Sequence, residues 1–257
     1  MAGFLMLACA GVAAADDDGL QRLVRAYPQQ FSAADKPNVL RWRDGTETVY
    51  DDGVLKTSFE EKLKHASPKD QMSQVYPCGW PPREPGVDED PGRIRCGALF
   101  RRMYGDSAAA VERALVDVAW PAAGPSGKVR FTRINDAARA LEAVAKDISA
   151  LPGDVKRYVA KPIGTFNWRV VAGEERQSPH SHGIAIDFRL PVPLQRYWRW
   201  DTKDPDEAPA YPQAVTADER LGKIVEAFER HGFIWGGKWR HYDTMHFEYR
   251  PELAGVK

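Results

Sequence analysis

The sequence predicts an α+β fold, a small and mostly antiparallel sheet flanked by helices. Amphipathic helical runs lie before and between the strand candidates, and those strand candidates are few and short. At 257 residues, with 43% hydrophobic and 11% aromatic side chains, the chain can bury a substantial core as one large domain or two small ones.

The elements follow in order. Phe4 to Ala15 is an apolar run that ends in small residues just before Asp16. It reads as a secretory leader (residues 1–15), so the protein is expected to be exported to the periplasm or cell envelope. Residues 16–105 are mixed and read as an N-terminal extension packed on the rest; 106–257 is the main domain. Within the extension, Arg41 to Gly45 reads as a strand entering a turn, and Phe59 to Leu63 as a short helix.

Helical signals strengthen after Asp106. Asp106 or Ser107 can cap a helix with Val111, Leu115 and Val118 on its apolar face, before the breaker cluster 121–127. Asn135 can cap a second, with Leu141, Val144, Ile148 and Leu151 along one side and Pro152-Gly153 as its stop. Residues 165–171 and 183–188 are rich in β-formers and read as strands. Thr216 with Glu219 forms a capping box for a helix faced by Leu221, Ile224, Val225 and Phe228, ended by Gly232. Met245 to Tyr249 reads as the last strand, after the turn Trp235-Gly236-Gly237. The long crossover after residue 188 leaves a parallel pair open.

Charge and cysteine content narrow the partners. The 36 basic residues are matched by 36 acidic ones, against the basic surplus of a nucleic-acid binder, so no nucleic-acid partner is expected. No apolar run reaches the ~20 residues of a membrane span. The working unit is expected to be a monomer. Cys9 would leave with the leader, so Cys78 and Cys96 remain as a pair. A disulfide between them would close a loop of about 19 residues and contribute roughly 3 kcal/mol, in keeping with an oxidising compartment.

Four of the six histidines fall in two short segments, 178–187 and 239–248. A catalytic zinc needs three N/O ligands and an open position. The candidates are His180 or His182, then Asp187, then His241 or His246. Residues seven apart on an unbroken strand face opposite ways, so His180 meets Asp187 only if Ser181-His182-Gly183 turns the chain. Asp243 can equally be an ordinary turn aspartate, Arg169 a surface ion pair, and any one of Trp198, Trp200, Trp235 and Trp239 a packing residue. Glu248 shares a strand face with His246 and is either its support or solvated; His65 and His231 read as surface residues.

The pattern Ser178-x-His180-x-x-Gly183-x-Ala185-x-Asp187 resembles the first zinc motif of the M15 peptidases, the group of D-Ala-D-Ala carboxypeptidases and L-alanyl-D-glutamate endopeptidases. Asp243-x-x-His246 is similar to their second motif. Phe166 to Arg169, Tyr197 to Trp200 and Gly232 to Gly237 resemble one branch of that family, so the likeness runs over about residues 105–257. It implies a DD-peptidase/hedgehog-like fold with the site on the sheet and Zn2+ held by His180, Asp187 and His246. It implies Asp243 as general base and Arg169 as the cation facing the oxyanion, with Arg176 as the fallback. Ser178, Trp239 and His241 then fall among the substrate contacts; His241 can also simply hold its turn. His182 falls outside the ligand set.

The implied activity is zinc-dependent hydrolysis of peptidoglycan stem peptides, at a D-Ala-D-Ala terminus or an internal L-Ala-D-Glu bond. The basic run Lys238, Arg240 and His241 could clamp a free carboxylate and leans toward the first; an aspartate base leans toward the second. The alternative is a non-catalytic, metal-containing cell-wall-binding module, whose signature would be loss of the base or of a ligand.

Overall fold

The structure, a computed structural model, describes residues 13–33, 35–202, 204 and 209–255. The predicted leader lies outside these residues except for Ala13 to Ala15, which open the first helix. In chain order the strands are β1 (Val39–Arg41), β2 (Glu47–Val49), β3 (Leu115–Ala119), β4 (Lys128–Thr132), β5 (Pro162–Gly164), β6 (Ala185–Phe188), β7 (Phe233–Trp235) and β8 (His246–Tyr249). The helices are α1 (Ala13–Ala26), α2 (Phe59–His65), α3 (Pro68–Gln71), α4 (Gly97–Tyr104), α5 (Ala108–Glu112) and α6 (Ala137–Ser149). They continue with α7 (Gly153–Lys156), α8 (Trp198–Asp201), α9 (Gln213–Thr216), α10 (Glu219–Glu229) and α11 (Pro251–Ala254).

The α+β expectation holds. The main sheet has the order β5-β6-β8-β7 with every pairing antiparallel, so the parallel alternative is not taken; β1-β2 and β3-β4 form two separate hairpins. In the register of β6 and β8, Asp187 lies opposite His246, Ile186 opposite Phe247 and Ala185 opposite Glu248. Side chains alternate along a strand, so Asp187, His246 and Glu248 share one face while Ile186, Phe188 and Phe247 share the other. The apolar face packs on α10, where Leu221, Ile224, Val225 and Phe228 are all fully buried. Phe228 stacks on Phe247 at 4.1 Å between ring centres, and Phe188 meets both edge-on. Leu141, Val144 and Ile148 of α6 join the same core. The sheet therefore has one face fixed by aromatic packing and one face free to carry polar groups.

Several local expectations are corrected. Ser107 does cap a helix, accepting from the Ala110 amide, but α5 ends at Glu112 and Leu115 and Val118 enter β3. The run Leu115–Ala119 pairs residue by residue with β4, and that ladder overrides the helical spacing. Asn135 and Asp136 precede α6 in left-handed conformations, at φ 55° and 60°, and neither side chain caps the helix. Asp218, not Thr216, caps α10 by accepting from the Arg220 and Leu221 amides, because Thr216 ends α9 and its hydroxyl donates to the Gln213 carbonyl. Residues 165–171 are not a strand. Beyond one bridge from Val170 to Gln177, their carbonyls turn toward the histidine segment.

The expected Cys78–Cys96 disulfide is absent, and both thiols are free. The Cys78 thiol donates to the Ala254 carbonyl at 3.2 Å, while Cys96 is buried at the start of α4 with its amide donating to Gln71. The two side chains are thus committed to different surroundings. The loop between them is held by charges instead: Lys238 donates to the Pro77 and Gly79 carbonyls, Arg93 pairs with Asp90, and Arg95 pairs with Glu248.

Buried charges also tie the N-terminal residues to the sheet. Glu252 accepts from Tyr27 and Gln71 and pairs with Arg250 at 2.6 Å; Arg250 in turn pairs with Glu248 at 2.8 Å. Arg250, Glu248 and Glu252 are all buried. Removing one partner from such a set leaves an uncompensated charge, at a cost of about 3–5 kcal/mol.

Candidate active site

Three side chains from two places in the chain meet at the polar face of the sheet. His180 comes from a short 3-10 turn, Pro179–His182, and Asp187 and His246 come from β6 and β8. One donor atom from each lies within 4.8 Å of the other two. The turn that brings His180 back toward Asp187 is the one expected at residues 181–183. Gly183 closes it in the left-handed region at φ 65°, where a Cβ would come within 2.5 Å of Leu115.

Hydrogen bonds orient each ring. The Thr165 carbonyl lies 2.6 Å from His180 Nδ1 and accepts a hydrogen bond from it, leaving Nε2 facing Asp187 Oδ2 at 3.2 Å. On the other ring, His246 Nε2 lies 3.0 Å from Glu248 Oε2, and Nδ1 faces Asp187 Oδ1 at 2.9 Å. One nitrogen of each imidazole is thus engaged behind the site, and one nitrogen of each converges with the Asp187 carboxylate. Two imidazole nitrogens and a carboxylate, with the outer nitrogens hydrogen-bonded to a carbonyl and a carboxylate, form the donor set of a metal centre. The residues present fit a divalent ion of the zinc type.

Electrostatics agree. Burial would raise Asp187, but His180 and His246 outweigh it and hold its carboxyl far below the ordinary range. Burial would lower His246, yet Asp187 and Glu248 push it up to about 10. Asp243 is raised to about 6, by burial first and then by the nearby Asp187 charge. His182, expected outside the ligand set, is buried against Phe100 and Tyr104 and is lowered to about 4 by burial and by the charges of Arg95 and Arg101.

A cleft of about 250 Å³ opens over the three residues, and Asp243, Arg169, Ser178, Trp239 and His241 join His180, Asp187 and His246 on its wall. The Asp243 backbone is fixed by its amide donating to the Gly236 carbonyl. Ser178 is buried, and its hydroxyl accepts from the His180 amide, so it shapes the turn. Trp239 donates from Nε1 to the Pro91 carbonyl and lies 5.6 Å from the His246 ring. His241 is held by Asp90 at 2.6 Å, stacks on Phe59 of α2 and meets Trp198 edge-on. Arg169 is exposed, with a guanidinium contact to its neighbouring Val170 carbonyl. Trp198 and Trp200 line the cleft; Trp235 belongs to the core. Lys238 and Arg240 are turned elsewhere, Lys238 onto Glu229 and Arg240 toward Glu84. His65 is exposed as expected, while His231 is partly buried and pairs with Asp147 at 3.0 Å.

Several contributors escape sequence reasoning. The Thr165 acceptor is a backbone carbonyl, which no side-chain pattern marks. Ser181, buried behind the cleft, bonds the Asn167 and Arg169 carbonyls and the Arg169 amide, pinning the preceding segment to the histidine turn. Asp90, Arg93 and Arg95 reach the site from 85 or more residues ahead of His180, where no local signal exists. Glu248 had one: its two-residue spacing from His246 puts both on one strand face.

An antiparallel sheet thus carries a converging His-Asp-His group, with a further carboxylate in the same cleft, as a candidate site for a metal ion. The comparison with protein families agrees: residues 172–249 match the D-alanyl-D-alanine carboxypeptidase family model, an M15 peptidase domain. The match takes in His180, Asp187, Asp243 and His246, and excludes Arg169 and all of the N-terminal extension. No curated protein and no solved structure matches the chain.

Proposed function

We propose that this protein is an exported zinc peptidase that hydrolyses peptidoglycan stem peptides, at a terminal D-Ala-D-Ala or an internal L-Ala-D-Glu bond. The observation that carries the reading is the converging His180, Asp187 and His246 group with Asp243 in the same cleft of an M15-family domain. His180 Nε2, Asp187 and His246 Nδ1 would hold the ion, which when bound lowers the pKa of a water to about 7 and polarises a carbonyl.

The chain's own groups supply the rest. Asp243 takes a proton from the attacking water and returns it to the leaving amine; its environment raises it toward the range where both transfers are feasible. Arg169, on the lip of the cleft, faces the developing oxyanion. Trp239 and His241 wall the substrate on the side of α2, and Ser178 keeps the His180 turn in shape. A second hollow of about 870 Å³ adjoins the cleft through Arg93, Arg176, Trp198 and His241, which leaves room for the rest of a peptide.

The test is incubation of the zinc-loaded chain with a defined stem pentapeptide, with a chelator control, reading product masses. Chelator-sensitive loss of one terminal alanine supports the carboxypeptidase form, and a cut after the first L-Ala the endopeptidase form. No product from folded, metal-loaded protein would overturn the reading.

A further inference from the structure

Besides Arg169, the cleft next to the candidate metal ligands is walled by three further guanidinium groups. Arg93 and Arg95 come from the extension ahead of α4, and Arg176 from the loop ahead of the histidine turn. Their side chains are only 9%, 8% and 13% exposed. A guanidinium stays charged in a protein, so three of them buried together call for matching anions.

The carboxylates present are shared. Glu174 pairs with both Arg93 and Arg176. Asp90 pairs with Arg93 and also holds His241. Glu248 serves Arg95, Arg250 and His246 at once. Arg95 is left with a buried Nη1 that has no hydrogen-bond partner. Arg176 is pushed down to about 10 by burial and by the neighbouring Arg95 and Arg93 charges, the mark of like charges crowded together. Lys238 and Arg240, which the sequence offers as a carboxylate clamp, do not line the cleft.

We propose that Arg93, Arg95 and Arg176 form a binding site for a substrate carboxylate next to the metal-binding residues, with two of its three members contributed from outside the peptidase match. The proposal rests on the peptidase reading of the same cleft. Guanidinium groups suit this task because their planar fork matches a carboxylate with two parallel hydrogen bonds. The carboxylate has two sources, the free C-terminus of the peptide or an acidic side chain beside the scissile bond. The first makes the enzyme a carboxypeptidase, and the second an endopeptidase that requires an acidic neighbour.

Three peptides with the same scissile bond separate the cases: a free-acid terminus with neutral side chains, an amidated terminus with neutral side chains, and an amidated terminus with a glutamyl side chain at the bond. The zinc-loaded protein is expected to favour one of the carboxylate-bearing peptides over the neutral amide by about 100-fold in kcat/KM, chiefly through KM. Preference for the free acid names the C-terminus, and preference for the glutamyl peptide names the side chain. In Arg95→Gln and Arg176→Gln the ratio is expected to fall at least about tenfold, with Arg176→Lys between them and the wild type. Arg95 also supports buried Glu248, so the Arg176 pair keeps the test informative should Arg95→Gln misfold. Equal cleavage of all three peptides, or an unchanged ratio in both Arg176 variants, would overturn the proposal. Absence of any cleavage by the wild type would instead strike at the peptidase reading. Calorimetry with N-acetylalanine, N-acetylglutamic acid α-amide and N-acetylalaninamide then tests the arginine site alone: binding of either acid but not the neutral amide, lost in Arg176→Gln, supports it, and no discrimination refutes it.

Discussion

Asp187 lies directly across the sheet from His246, with its Oδ1 2.9 Å from His246 Nδ1 while its Oδ2 reaches His180 Nε2 at 3.2 Å. A single carboxylate thus meets both imidazoles, and two of the three groups are fixed to one another by strand register. Metal affinity should therefore depend steeply on each member. Replacing His180, Asp187 or His246 by Ala is expected to abolish stoichiometric zinc binding and turnover together. Metal analysis after gel filtration checks this, and full zinc retention in any one variant would remove that residue from the ligand set.

Asp243 shares the cleft but not the three-residue group. Asp243→Ala should keep about one zinc per chain and lower kcat by roughly 10²–10⁴-fold. Parallel metal content and steady-state kinetics test the point. A kcat near the wild-type value would transfer the base role elsewhere.

The legibility of this site in the sequence follows from how each residue reaches it. His180, Asp187, Asp243 and His246 sit in two short segments whose spacing survives folding, so motif and strand parity lead to them. Gly183 was legible as well, since only a turn could reconcile His180 with Asp187. Arg95 and Asp90 arrive through long-range packing, and nothing near them announces it. Helix ends and strand assignments failed for a related reason: Leu115 and Val118 satisfy a helical period, but their pairing with β4 depends on residues 10 or more positions away. The cysteine pair misled because an even count constrains connectivity only when the fold brings the thiols together.

Glu248 offers a sharper test of how the metal site is supported. It is fully buried, accepts from the outer nitrogen of His246 and is itself held by Arg95 and Arg250. Glu248→Gln should preserve the shape and weaken the orientation of His246, with a loss of about 10–100-fold in zinc affinity. Chelator-competition titration reads this without reference to turnover. Unchanged affinity in folded Glu248→Gln would confine Glu248 to a purely structural part.

The free thiols predict indifference to reductant. Cys78 and Cys96 contribute no cross-link, so excess dithiothreitol should leave Tm unchanged, and Cys78→Ser should do the same within about 0.5 kcal/mol because the residue is exposed. Non-reducing mass spectrometry of the intact chain should show two free thiols at these positions. A two-dalton deficit together with a reductant-dependent fall in Tm would reinstate the disulfide.

Acid should loosen the wall that the N-terminal extension contributes to the cleft. Burial would raise Asp90, but Arg93 and His241 outweigh it; burial would likewise raise Glu174, but Arg176 and Arg93 outweigh that. Both carboxyls are therefore held below their ordinary values in the folded protein. A carboxyl depressed by folding contributes stability that is fully present above its unfolded pKa, near 4, and is lost as pH falls through the folded value, because the unfolded chain takes up the proton first. The contribution of these two carboxylates to Tm should accordingly be flat from about pH 7 to 5 and fall below about pH 4.5. Asp90→Asn should lower Tm at pH 7, since it leaves Arg93 with one carboxylate fewer in a buried setting, and should flatten the acid limb relative to the wild type. Parallel thermal scans from pH 7 to pH 3 decide the matter: an acid limb of the same slope in both proteins would show that Asp90 is not among the groups whose protonation drives the loss.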